Sequence, residues 1–308
     1  MVNKPAQITS RRSFITNAAL TGSVLFFTDL KAIARALNIA DYNIKMLTDN
    51  IGVFTEKGGT VVFLLNEKGN VVVDAQFPDS IAHLIDEIKK RNSYPFELLI
   101  NTHHHSDHTS GNIAFKSLAR TVVAHQNSKT NQQKAAITNK SEDKQLYPDR
   151  VFTKKWKHRV GKEKIELKYF GPAHTNGDIV VHFKSSGVVH IGDLVFNRRY
   201  PYIDKPAGAN IKNWCNVLDK IIRYYPDDLK FVCGHSGNGF DVLVTKDDML
   251  AFKNYLQKAL LYVQEKIAQG LSKDAIIKSA NVIPGAEEWK GEGIERTINA
   301  AWIELGGK

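Results

Sequence analysis

The string Thr102-His103-His104-His105-Ser106-Asp107-His108 sets four imidazoles and a carboxylate directly behind an apolar run, Phe96-Glu97-Leu98-Leu99-Ile100. A short apolar run of that kind reads as a buried strand, so the polar cluster is delivered at the strand's C-terminal end. In extended chain successive side chains alternate faces, so His103 and His105 point one way and His104 the other. Asp107 and His108 are neighbours and cannot share one face of that strand. The chain therefore turns after Ser106, entering a helix near Ser110-Gly111-Asn112. Neutral imidazole nitrogen and carboxylate oxygen are ligands for zinc and similar divalent ions, and a catalytic site keeps one position open for water. One pair then serves one cation and the turned pair reaches a second.

The remaining ligands are sought downstream. Gly171-Pro172-Ala173-His174-Thr175-Asn176-Gly177-Asp178 is rich in turn residues, carries one His, and precedes a strand-like run over Ile179–Phe183. Val188-Val189-His190-Ile191-Gly192-Asp193 places a carboxylate at the end of another apolar strand, and Leu229-Lys230-Phe231-Val232-Cys233-Gly234-His235 places a His after a third. His104, facing away from its neighbours, is expected to play a supporting role. His190 reads as a core histidine, and His83, His125, His158 and His182 have no cluster of ligand-type residues beside them in the sequence. Cys215 and Cys233 read as two separate buried thiols.

Taken together, these motifs resemble the metallo-β-lactamase superfamily, whose hallmark is H-x-H-x-D-H followed by a distant His, an Asp and a final His. The match runs in order over roughly residues 42 to 240. The resemblance implies one metal on His103, His105 and His174, and another on Asp107, His108 and His235, with Asp193 bridging the two. Asp74 matches an early Asp that supports the metal loop. The resemblance also implies two zinc ions, with iron or manganese as alternatives, sharing a hydroxide nucleophile, and Asp107 orienting it and handling its proton. The wording T-H-H-H-x-D-H is similar to glyoxalase II-like thioesterases, and Asp193 stands where class B1 and B2 β-lactamases carry Cys.

The fold expected is α+β, a four-layer αββα sandwich. Strands are predicted near 42–47, 51–55, 60–65, 70–74, 97–101 and 121–124, with a helix at 79–91. Residues 129–147 are polar and read as a helix or a flap, 151–170 as two or three strands, and 211–224 as a helix. Met249, Phe252, Leu256, Leu260, Val263 and Ile267 recur at helical spacing and mark a long amphipathic helix. Two further helices are predicted around 272–274 and 287–303. The division expected is a leader over 1–36, a catalytic domain over 37–240 and a C-terminal helical extension over 241–308.

Ser10-Arg11-Arg12-Ser13-Phe14-Ile15 is a twin-arginine-type start followed by an apolar stretch, Ala18 to Phe27, too short to span a membrane. Small residues at Ala32 and Ala34, or Ala34 and Ala36, offer cleavage sites. A periplasmic protein exported in folded form is expected, with no stable membrane span once the leader is removed. The chain has 308 residues, 43% hydrophobic, enough for a large single core. Its formal charge is +10. Removing the leader takes away Lys4, Arg11, Arg12, Lys31 and Arg35 against Asp29, so the remainder stays basic. A positive field favours an anionic small-molecule substrate. There is no aromatic–basic interleaving of the kind that binds nucleic acid.

Asn197-Arg198-Arg199-Tyr200-Pro201-Tyr202 follows Asp193 and is expected at the mouth of the site. Arg198 or Arg199 would bind a carboxylate or phosphate, and Tyr200 would donate to an oxyanion, with Asp204 and Lys205 as weaker candidates. The function expected is cleavage of an ester, thioester, lactone or amide-type bond. The alternatives are a class B3-like β-lactam hydrolase, a mononuclear iron enzyme like the persulfide dioxygenases, and a non-catalytic binding protein on the same fold.

Overall fold

The structure, a computed structural model, describes residues 42–307. The twin-arginine motif and the apolar stretch after it lie outside those residues. Among the described residues no helix is long and apolar enough to cross a membrane.

Two mixed sheets stack face to face. The first holds seven strands in sequence order: β1 (Asn43–Met46), β2 (Ile51–Thr55), β3 (Val61–Leu64), β4 (Asn70–Val73), β5 (Phe96–Ile100), β6 (Ala119–His125) and β7 (Arg150–Phe152). Pairing is antiparallel from β1 to β4 and parallel from β4 to β7. The parallel half reads as unbroken apolar runs because its strands are covered on both faces. The second sheet has six strands in the order β13–β12–β11–β10–β9–β8. These are β8 (Lys155–Val160), β9 (Glu163–Tyr169), β10 (Ile179–Phe183), β11 (Val188–Asn197), β12 (Lys230–Ser236) and β13 (Leu243–Val244). One apolar core fills the space between the sheets, with Val62, Val73, Leu98 and Ile100 on one side and Leu167, Val181, Val188 and Val232 on the other.

Helices cover the outer faces. α1 (Pro78–Arg91) starts with Pro at its first position and ends in Lys89, Lys90 and Arg91, which suits the helix dipole. Behind β5 come the single turn α2 (Ser106–Thr109) and a 3-10 stretch to Phe115. The helix therefore begins one turn before the expected Ser110. α3 (Gln126–Thr138) takes up most of the polar segment 129–147. Over the second sheet lie α4 (Ile211–Tyr224) and α5 (Lys246–Ala268), the latter opened by a reciprocal Thr245–Asp248 capping box. α6 (Lys273–Ser279) and α7 (Ile294–Glu304) follow. Trp214, Phe252, Tyr255, Trp289 and Ile298 join one core, so the C-terminal helices pack onto the second sheet. That makes an αββα sandwich with C-terminal helices.

Candidate metal centre

His103 leaves β5 with its Nδ1 bonded to Thr102 Oγ1 at 3.0 Å, which turns Nε2 inward to 3.0 Å from Nδ1 of His105. His174, in the loop between β9 and β10, brings its Nε2 to 2.9 Å from the same Nδ1. That loop is pinned by Asp178, whose carboxylate accepts both the N–H and the hydroxyl of Thr175 at 2.7 Å. Asp193 supplies the fourth donor, its Oδ2 3.4 Å from His174 Nε2 and 3.8 Å from His103 Nε2. It does not end its strand. β11 continues to Asn197 past a register irregularity around Gly192 (φ 50°), which aims the carboxylate into the site.

The turn of α2 carries the second set. Asp107 Oδ2 and His108 Nε2 stand 3.1 and 3.3 Å from Nε2 of His235, which β12 delivers. Asp193 faces this set as well, with Oδ1 3.1 Å from His108 and Oδ2 3.4 Å from His235. All seven residues named for metal binding are thus brought together around one carboxylate. One four-member set contains Asp193, and the three-member set of Asp107, His108 and His235 faces the same carboxylate.

Two buried or half-buried carboxylates hold the imidazoles in place. Asp74 accepts the backbone N–H of Thr102 at 2.8 Å, its hydroxyl at 2.7 Å, and Nδ1–H of His108 at 2.8 Å. Asp74 sits at φ 65°, a left-handed conformation that Asp tolerates and these bonds secure. Asp204 accepts Nε2–H of His105 at 3.0 Å and that of His104 at 3.3 Å. His104 therefore does support its neighbours, through a carboxylate shared with His105. With Nδ1 of His108 and Nε2 of His105 committed as donors, their other nitrogens are the ones that face the site and would be offered to a metal.

That donor set fits divalent cations. With His103 Nδ1 and His105 Nε2 committed as donors, the facing Nε2 of His103 and Nδ1 of His105, 3.0 Å apart, repel unless a positive charge lies between them. Asp193 Oδ1 is buried and, among the described residues, has no hydrogen-bond donor. Burial pushes His174 down to about 3 and His103 well below the usual range, so both are neutral near pH 7, the form in which imidazole can take a metal. Burial would also lower His108, but Asp193, Asp107 and Asp74 raise it well above the ordinary value, and Asp193 and Asp107 raise His235. Burial would raise the Asp107 carboxyl, yet His108 and His235 hold it far below the usual carboxylate range.

Above the metal residues opens a cavity of about 750 Å3, walled by Phe196, Arg199, Tyr200, Tyr202 and residues of the C-terminal segment. The three expected substrate residues part company here. Arg198 does not line the cavity. Its guanidinium donates to Asp248 and to Glu288, and lies over the rings of Phe240 and Trp289. With only 14% of the side chain exposed, it braces the C-terminal segment. Tyr200 reaches the wall, but among the described residues its buried hydroxyl has no partner. Arg199 does face the cavity. Lys205 binds Glu304 and leaves the site alone.

Sequence reading gave Asp204 only a weak role, because a lone Asp in a loop carries no spacing signal. Gly59 and Gly234 are the other omissions. A Cβ on Gly59 would stand 2.1 Å from the His108 ring. The thiols of Cys215 and Cys233 are free and buried, as expected. His190 is a core residue bonded to the Val232 carbonyl at 3.0 Å.

The fold and these side chains define a metal-dependent hydrolase. A family model described as the metallo-beta-lactamase superfamily matches residues 55–235, more than half of the chain, and the protein belongs to that superfamily. Among curated relatives, a metallo-beta-lactamase type 2 of Elizabethkingia meningoseptica is 26% identical over 204 residues, 63% of this chain and 79% of that protein. Metallo-beta-lactamase IND-1 of Chryseobacterium indologenes is 26% identical over 60% of this chain and 75% of its own. Among solved structures, a metallo-beta-lactamase from Pontibacter korlensis superposes with TM-score 0.60 at 18% identity, covering 70% of this chain and 99% of its own. The sec-alkyl sulfatase PisA1, solved as a double mutant, reaches TM-score 0.67 at 13% identity over 88% of this chain and 51% of its own. Both likenesses are of fold.

Proposed function

We propose that the protein is a dinuclear zinc hydrolase of the periplasm that cleaves an ester, thioester, lactone or amide-type bond in a small molecule. One observation carries the reading: two separate donor sets converge on the single carboxylate of Asp193. A site for one iron would use only part of that arrangement and would leave Asp107, His108 and His235 without work. Bound zinc supplies Lewis acidity, polarising a carbonyl and making water reactive near neutral pH.

The chain's own groups supply the rest. Asp107, 30% exposed and lining the cavity, would orient the attacking water and move its proton. Asp74 and Asp204 fix ring orientation, so little reorganisation accompanies reaction. Phe196 stacks on His235 with ring centroids 5.4 Å apart and forms part of the cavity wall. The periplasmic assignment rests on the twin-arginine motif.

The names of the relatives favour β-lactams as the first substrates to try. The test is metal analysis of the purified full chain, followed by a panel of nitrocefin, lactones, thioesters and nitrophenyl esters. Two zinc per chain, with turnover lost to chelator and restored by zinc, supports the proposal. One iron per chain, or turnover indifferent to chelation, defeats it.

A further inference from the structure

The cavity over the metal residues has an asymmetric charge distribution. Its floor acids, Asp107, Asp193 and Asp204, are matched to imidazoles. Its outer wall carries Arg199, just past β11, together with Lys290 and Arg296 of the C-terminal segment. A parallel bridge joins the backbones of Arg199 and Lys290 and holds those two residues in register. Arg296 lies in the first turn of α7. Its guanidinium fills the space over Gly293, 2.7 Å from where a Cβ would stand, and glycine alone leaves that space at φ 117°. The charge of Arg296 is felt by Tyr202, whose ring meets His105 edge-on at 5.2 Å. The wall therefore reaches to within one side chain of the metal residues.

These cations are poorly matched inside the protein. Among the described residues neither Arg199 nor Lys290 has a carboxylate within 4 Å, and Arg296 has only Glu295, at 3.7 Å with both side chains about half exposed. Glu292 is the acid on the rim. Neighbouring Arg198, by contrast, is bound to two carboxylates. A cationic wall facing a metal floor attracts a molecule with two electron-rich ends.

We propose that Arg199, Lys290 and Arg296 form an anion clamp, and that the substrate carries a carboxylate remote from the bond that is cleaved. Arginine's planar fork matches a carboxylate, while Lys290 adds a point charge beside it. The clamp rests on the hydrolase reading for its role but not for its existence. Two of its three residues lie beyond the stretch matched by the family model, so the clamp draws mainly on the C-terminal segment.

Isothermal titration of the zinc-loaded full chain with succinate, glutarate and adipate, against butyrate, tests it. At least one dicarboxylate is expected to bind about tenfold more tightly than butyrate, as one added charge-assisted contact would give. The double variant Lys290→Gln/Arg296→Gln should bring that preference to near parity with zinc content intact, while Arg198→Gln retains it. Dicarboxylates no tighter than butyrate, or a preference that survives the double variant, would overturn the clamp. Zinc content separates the two proposals. Two zinc without the preference removes the clamp alone, whereas the preference on a chain that holds no zinc removes the hydrolase reading and leaves the clamp.

Discussion

Gly234 lies directly against the carboxylate of Asp193: a Cβ on its backbone would stand 1.9 Å from Oδ1. No side chain fits there without moving the one residue that faces both donor sets. Gly234→Ala is expected to keep the sandwich and lose about 100-fold in kcat, the cost of misplacing a reacting group by about 1 Å. Circular dichroism beside steady-state kinetics checks this, and an alanine variant with full turnover would contradict the geometry.

Asp107 combines exposure to the cavity with a strongly stabilised negative charge. Asp107→Asn should lower kcat by about 10²- to 10⁴-fold, the usual range for losing a proton-handling group. The comparison must be made at equal zinc content. A variant that binds both metals and turns over normally assigns the proton to another group.

Asp74 is fully buried and accepts three hydrogen bonds, so its removal strands the Thr102 N–H and the His108 ring. Asp74→Ala is expected to weaken zinc binding about 10- to 100-fold and to cost about 3 kcal/mol of stability. Competition with a chromophoric chelator measures the first effect and urea unfolding the second. Unchanged affinity would show that His108 needs no such support.

The two donor sets should respond differently to acid. Protons compete with metal for imidazole nitrogen. His103 and His174 are lowered by burial and stay neutral as pH falls, so their lone pairs remain free. Carboxylates raise His108 and His235, which therefore take up protons at higher pH. Zinc should leave the Asp107–His108–His235 set first, falling from about two per chain at pH 8 to about one near pH 5.5. Equilibrium dialysis across that range, repeated with His235→Ala and His174→Ala, identifies which set empties. Simultaneous loss of both ions would count against the distinction.

Arg198, expected at the mouth of the site, ties β11 to the C-terminal segment instead. Arg198→Met should therefore cost about 1–2 kcal/mol of stability through lost charged hydrogen bonds. Zinc content and KM should hardly change. A large KM effect with unaltered stability would return Arg198 to the substrate.

Most strands and helices were legible because periodicity is a local property. The apolar runs of β4 and β5 and the spacing from Met249 to Ile267 each identify an element from a dozen neighbouring residues. The bend at α2 was legible too, since adjacent Asp107 and His108 cannot share one face of a strand, although it comes one turn earlier than expected. Asp204 and the clearance at Gly59 were not legible. Each acts on a histidine that is distant in sequence, and nothing local to it announces the partner.

The sequence by itself determined the chemistry: which side chains can hold a cation, and the order in which the strands present them. That follows because ligand type and strand-end placement are encoded within a few residues of each donor. Only the tertiary structure decided which residues aim the imidazoles, why Arg198 is unavailable, and that the C-terminal segment carries Lys290 and Arg296 over the cavity. These depend on hydrogen bonds and packing between segments dozens of residues apart, which no local pattern encodes.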